Sequence, residues 1–197
     1  MSRGAGSAFG GDFKKDILLI DTEFSGFNIE KHELLQLAGV LLDRKTLKEK
    51  KVFSSFMRPT RWQHRDPECM AVNKISHAMV KDAPSLKQVI NLFNKTFGHD
   101  VILAAYVGYN DKRFLLDAYR KTKTKWQFDY HYFDLWGLFY GFLAKKNLLK
   151  SKKDFAGFGL EYLIQRLKIK TNKSQLHDAL VDCRVEAEVL RKVLKNI

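Results

Sequence analysis

The chain has only two cysteines, Cys69 and Cys183, far apart and in no metal-ligand spacing. That excludes a disulfide scaffold and a thiolate metal site, and it suits reduced thiols in a reducing compartment. Long apolar runs are missing too; none approaches the roughly 18 residues that a membrane-spanning helix needs. There is no internal repeat and no long linker. The first twelve residues, MSRGAGSAFGGD, are rich in glycine and serine and lack the apolar stretch of a secretion signal. They read as a flexible leader or a cloning scar, with one folded domain at 13–197 and an expected cytoplasmic location. Acidic residues are the minority: 22 stand against 35 lysines and arginines, a net charge of +13. Such an excess points to a polyanionic partner, most simply nucleic acid, with an anionic membrane surface as the other reading. No helix combines the basic pattern with the aromatic face that a membrane-surface protein would need.

What is present is an ordinary globular mix, 45% hydrophobic and 29% charged over 197 residues, enough for one domain to bury a sizeable core. Asp16 to Thr22 is a short apolar run that reads as a buried strand. Leu34 to Leu42 and Lys51 to Arg58, the latter stopped by Pro59, read as two more, and the three in succession suggest an antiparallel meander. Then the period changes. Ser85 to Phe97 has apolar residues at helical spacing behind a serine suited to the N-cap. A strand at Val101 to Tyr106, a helix at Asp111 to Tyr119, a strand at Trp126 to Phe133 and helices at Leu135 to Ala144, Phe158 to Leu167 and Ala179 to Leu194 complete the pattern. Strands first, then helices alternating with strands, give an α/β domain around a mixed sheet flanked by helices.

Three acidic signals stand out. Asp21 and Glu23 lie two apart at the end of the first strand, where alternation points both to one face, and Gly26 lets the chain turn. Two like charges that close repel, and a hard divalent cation between them would reverse the cost. The bland reading is a polar strand end in water. Asp111 follows the fourth strand and a glycine turn; alone it would be a helix N-cap. Near the C-terminus, LHDALVDCRVEAEVL reads as a helix capped by Asp178. Asp182 sits in its first turns, either serving the helix dipole or pointing into a site. His177 precedes Asp182 by five residues. It is off that helical face, but it can fold over the helix start from the loop; otherwise it is a surface histidine.

The order of these signals resembles the three motifs of the DEDD superfamily of DnaQ-like 3′–5′ exonucleases, on a ribonuclease H-like fold. The resemblance spans residues 16–196. Asp21-Thr22-Glu23 matches the first motif, Asp111-Lys112-Arg113-Phe114-Leu115 the second, and His177-Asp178-Ala179-Leu180-Val181-Asp182 the third, with a histidine in place of a tyrosine, hence the DEDDh branch. Residues 70–90 also resemble proofreading-subunit relatives. Two departures stand out. Tyr106 and Val107 occupy the places where a His-Asn pair is frequent, with Asn110 where phenylalanine is common. Lys74 stands where glycine is frequent, and could touch phosphate.

The resemblance implies a metal-dependent hydrolase that removes nucleoside 5′-monophosphates stepwise from the 3′ end of single-stranded nucleic acid, DNA slightly favoured. It implies that Asp21, Glu23, Asp111 and Asp182 hold two magnesium or manganese ions, with His177 as general base. Thr22, Phe24, Phe27, Val72, Asn73 and Lys74 become candidate nucleic-acid contacts. Core packing is the alternative for the two phenylalanines. Basic clusters at Arg120, Lys121, Lys123 and Lys125, and at Lys145, Lys146, Lys150, Lys152 and Lys153, are candidate backbone tracks or merely solvated faces. RNA trimming is the alternative substrate reading, and a catalytically silent binding module the alternative class. A homodimer or a larger nucleic-acid-processing assembly is the expected setting.

Overall fold

The computed structural model describes residues 10–150 and 159–196. The calls on residues 1–9, on Phe158 as a helix start and on Lys152 and Lys153 fall outside that range. Five strands, β1 (Asp16–Phe24), β2 (Leu34–Leu42), β3 (Glu49–Phe56), β4 (Val101–Ala105) and β5 (Tyr132–Asp134), form one sheet in the order β3-β2-β1-β4-β5. β1 pairs antiparallel with β2 and parallel with β4; β2–β3 is antiparallel and β4–β5 parallel. The helices are α1 (Pro67–Asn73), α2 (His77–Val80), α3 (Leu86–Phe97), α4 (Tyr109–Thr122), α5 (Leu135–Lys145), α6 (Leu160–Arg166) and α7 (Ala179–Leu194).

The sheet is covered on both faces, which explains why β1 and β2 read as nearly continuous apolar runs; all nine residues of β2 are buried. Along β1, Ile17 and Leu19 pack into the layer built from α5, α6 and α7. Leu18 and Ile20 pack into the opposite layer with α3 and α4. Ser85 caps α3, its hydroxyl accepting from the Gln88 N–H while the Gln88 side chain accepts from the Ser85 N–H. Asp178 caps α7, its Oδ1 accepting from the N–H groups of Leu180 and Val181. Both caps were expected from sequence, as were the spans of β2 and α7.

One expectation needs correction, and one bland alternative falls away. The apolar run from Trp126 is not a strand until Tyr132. Trp126 and Phe128 instead pack edge-on against each other and against Tyr119, and Gln127 Nε2 donates to the carbonyls of Asn94 and Gly98. Those aromatics fill the space beside α4, so strand-like composition here reflects packing and not a ladder. Asp111 is not the N-cap of α4; Gly108 is, and Asp111 is the third helical residue, turned inward.

Candidate active site

Alternation along β1 sends Asp21 and Glu23 to the α7 side of the sheet and Thr22 and Phe24 to the α4 side. Just beyond, the β1–β2 register slips by a bulge between Glu23 and Phe24, so Leu35 has no opposite residue. Bulges of this kind re-aim side chains at strand ends. The chain then reverses at Gly26. Its φ is +146°, and a Cβ there would sit 2.3 Å from the His32 imidazole, so only glycine fits.

Asp111 is joined to β1 directly. Its Oδ1 accepts from the Thr22 N–H at 2.9 Å and from the Thr22 hydroxyl at 2.6 Å. These bonds tie the first turn of α4 to the end of β1 and hold the carboxyl beside Asp21. On the other face, Gln36 of β2 reaches the start of α7. Its Nε2 donates to Asp178 Oδ2 at 3.0 Å and its Oε1 accepts from the Ala179 N–H at 3.3 Å. One turn on, Asp182 is buried, and its Oδ2 accepts from the His177 N–H at 2.9 Å. His177 adopts the left-handed conformation, φ +68°, which folds its exposed ring back over the helix start. Ligand atoms of Glu23, His177 and Asp182 all lie within 4.8 Å of one another.

The electrostatics follow from burial. Asp111 and Asp182 are each lifted from 3.8 to about 6, chiefly by loss of water; the Thr22 bonds at Asp111 and the His177 N–H at Asp182 hold them down in part. Burial and the nearby Asp182 push Glu23 from 4.5 up to about 8. Asp21 rises well above its ordinary value through burial, then through Asp111, Glu186, Glu23 and Asp182. Glu186 was not singled out from the sequence. It lies one turn after Asp182 on α7, is 2% exposed, and is raised by burial and by Asp111 and Asp182. The i to i+4 spacing from Asp182 was the available signal.

Among the described residues, no lysine or arginine forms an ion pair with Asp21, Glu23, Asp111, Asp182 or Glu186. Asp182 Oδ1 and Glu186 Oε2 are buried with no hydrogen-bond partner among the described residues. Orphaned carboxylate oxygens in an uncompensated acidic pocket are suited to hard divalent cations, so the residues present fit a metal centre.

The remaining candidates divide. Phe24 stacks flat on Phe114, centroids 4.7 Å apart, and belongs to the core; Phe27 meets it edge-on at 5.2 Å and is 60% exposed. Asn73 is a buried brace whose Nδ2 donates to the Phe24 carbonyl while its Oδ1 accepts from the Ile75 N–H. Val72 is 51% exposed beside it, and Lys74 is exposed in the left-handed conformation at φ +59°, where glycine is the easier residue. Tyr106 follows β4 with its N–H on Glu186 Oε1, Val107 is exposed at φ +52°, and Asn110 lies half-buried in the first turn of α4. Arg120 and Lys121 are both engaged by Asp117; among the described residues Lys123 and Lys125 form no ion pair.

Comparison with known proteins agrees with this geometry. The RNase_T exonuclease family matches residues 18–190. The DNA polymerase III epsilon subunit of Aquifex aeolicus (strain VF5) is 26% identical over 181 residues, covering 91% of this chain and 81% of that protein. Among solved structures, E. coli exonuclease I bound to a dT13 oligonucleotide superposes with a TM-score of 0.77 at 15% identity, covering 93% of this chain and 42% of that one. A 3′-exonuclease that recognises the 3′ end of the histone mRNA stem-loop gives 0.70 at 18% identity, covering 98% and 67%. The chain thus spans about two fifths of exonuclease I. With that match over most of its length and the acids of β1, α4 and α7 gathered in one pocket, the chain belongs to the RNase_T exonuclease family and is a DnaQ-like DEDD 3′–5′ exonuclease on a ribonuclease H-like fold.

Proposed function

We propose that residues 13–197 act as one exonuclease domain that shortens single-stranded nucleic acid from a free 3′ end, releasing nucleoside 5′-monophosphates. The observation that carries the proposal is the convergence of carboxylates from three distant elements, with the His177 ring beside Glu23 and Asp182. Asp21, Glu23, Asp111 and Asp182 would hold two magnesium or manganese ions. Bound there, the ions would neutralise the phosphate and acidify the attacking water. His177 takes the proton of that water, a role supported by an exposed ring on a strained backbone whose N–H is itself fixed by Asp182. Thr22 and Gln36 keep α4 and α7 in register with β1, so the carboxyl groups meet without rearrangement. Phe27, Val72 and Lys74 contact the 3′-terminal nucleotides: the exposed ring stacks on a base and the lysine meets a phosphate. Thr22, Phe24 and Asn73 support that surface from beneath.

DNA is the favoured substrate. That reading rests on the epsilon-subunit relatives, which are polymerase components, and on the oligo-dT complex of exonuclease I. The likeness to an exonuclease acting on histone mRNA supports RNA as the second reading. Matched 5′-labelled single-stranded DNA and RNA, incubated with magnesium, with manganese and with chelator, test both. A ladder of shortened products that requires metal is expected, and the faster substrate identifies the sugar. Release of dinucleotides or nucleoside 3′-monophosphates, or undiminished cleavage in chelator, would refute the proposal.

A further inference from the structure

The four acids of the motifs do not exhaust the pocket. Glu186 lies on the same face of α7 as Asp182, one turn deeper, where side chains four apart are neighbours. It is 2% exposed; its charge is felt at Asp21 on β1, and the charges of Asp111 and Asp182 are felt at it. One of its oxygens, Oε1, accepts from the Tyr106 N–H at 3.3 Å. The other, Oε2, is sealed from water with no partner among the described residues, as is Asp182 Oδ1. A buried carboxylate is ordinarily paired or replaced. The chain has 35 lysines and arginines to choose from, and among the described residues none pairs with it. A purely structural acceptor for one backbone N–H would not need a carboxylate: an amide would serve without bringing another acid into a crowd of acids.

We infer that Glu186 is a fifth oxygen donor of the cation pocket, contributing its unpartnered Oε2 one turn of α7 beyond Asp182. The inference rests on the exonuclease reading of that pocket. With five carboxylates rather than four, the pocket attracts divalent ions strongly before any phosphate arrives. The metal-loaded state then precedes nucleic-acid binding instead of depending on it.

The test is manganese binding by the full chain without nucleic acid, read from the electron paramagnetic resonance signal of free Mn²⁺. The proteins are the parent, Glu186→Gln, Glu186→Leu and Asp182→Asn, each also melted in EDTA. Glu186→Gln and Glu186→Leu should both bind Mn²⁺ roughly 10–100-fold more weakly than the parent, the range seen when groups supporting a metal site are removed. Both should melt in EDTA no lower than the parent. Parent-like Mn²⁺ binding by both Glu186 variants, with binding lost in Asp182→Asn, would overturn the inference and leave the exonuclease reading intact. Failure of the parent itself to bind Mn²⁺ would overturn that reading and the inference with it. A cooperative fold lost in both Glu186 variants would make Glu186 a structural residue and also overturn the inference.

Discussion

Substituting Asp182 by asparagine should make the metal-free protein more stable while abolishing its activity. Asp182 is 8% exposed, and its carboxyl is lifted from 3.8 to about 6, mainly by loss of water. At about 1.4 kcal/mol per pKa unit, ionising it inside the fold costs about 3 kcal/mol, and relaxation of the surroundings reduces that to about 1.5–3 kcal/mol. The sign follows from proton counts. The unfolded chain releases this proton near pH 3.8 and the folded chain only near pH 6. Between those values the folded state binds more protons, so stability falls as pH rises, and above about pH 6 the whole penalty is present. Asparagine avoids the penalty and can still accept the His177 N–H through its amide oxygen. For a chain of this size the gain is a melting temperature raised by roughly 3–12 °C at pH 7.5, shrinking to almost nothing at pH 4. Calorimetry in EDTA at pH 4, 6 and 7.5 measures it. Saturating Mn²⁺ should invert the order, because only the parent gains full binding energy. If Asp182→Asn instead melts several degrees below the parent in EDTA at pH 7.5, the carboxylate is a net stabiliser of α7 through the helix dipole. The claim that the pocket is held ready for cations would then fail.

Asp21→Ala should leave no measurable release of mononucleotides while circular dichroism stays that of the parent, since Asp21 lies on the site face of β1 just beyond the buried run Ile17 to Ile20 that anchors the strand. His177→Ala should lose roughly 10²–10⁴-fold in turnover, the usual worth of a general base, with Mn²⁺ binding weakened far less than by Asp182→Asn. Gln36→Ala leaves the Ala179 N–H without its acceptor and should cost about 1–3 kcal/mol in a denaturant titration, with turnover falling as the start of α7 loosens. Affinity for single strands, followed by fluorescence anisotropy at several salt concentrations, should fall with a log–log slope of about −0.7 per phosphate neutralised; a flat response would remove the cationic track.

The sequence made much of this legible because burial imposes patterns. β2 and α7 were readable to the residue, since a strand covered on both faces must be apolar throughout, and a helix on a sheet must carry an apolar stripe behind a capping side chain. Asp21 and Glu23 share a face by pleat alone. Their meeting with Asp111 and Asp182 was not derivable from spacing; it came from family resemblance, because the contacts that create it join residues 89 and 143 positions apart. Gln36 stands out as a lone polar residue in an apolar strand, but its partners, Asp178 and the Ala179 N–H, lie too far along the chain to be read from it. Trp126 and Phe128 misled because aromatic residues favour strands and cores alike, and only the surrounding helices decide which. Glu186 was overlooked because an acid in a helix rich in charged residues looks like surface until the helix phase is referred to Asp182.

The side chains that hold the acids in position have a common property that explains how the pocket survives in so basic a chain. Thr22 holds Asp111, Gln36 holds Asp178, Asn73 donates to the Phe24 carbonyl beside Glu23, and a backbone N–H holds Asp182. All are neutral donors. A lysine or arginine in any of these places would stabilise the fold more, since it would cancel a buried charge, but it would also occupy the space and satisfy the field that a divalent ion requires. Neutral donors orient the carboxyl groups and offset only part of their desolvation, leaving the charge available. The cations are kept elsewhere: Arg184 on Glu49, Arg191 on Glu188, Arg120 and Lys121 on Asp117, all outside the acid cluster. Stability given up in the metal-free state would be recovered on binding ions, so the melting temperature should rise with divalent-cation concentration.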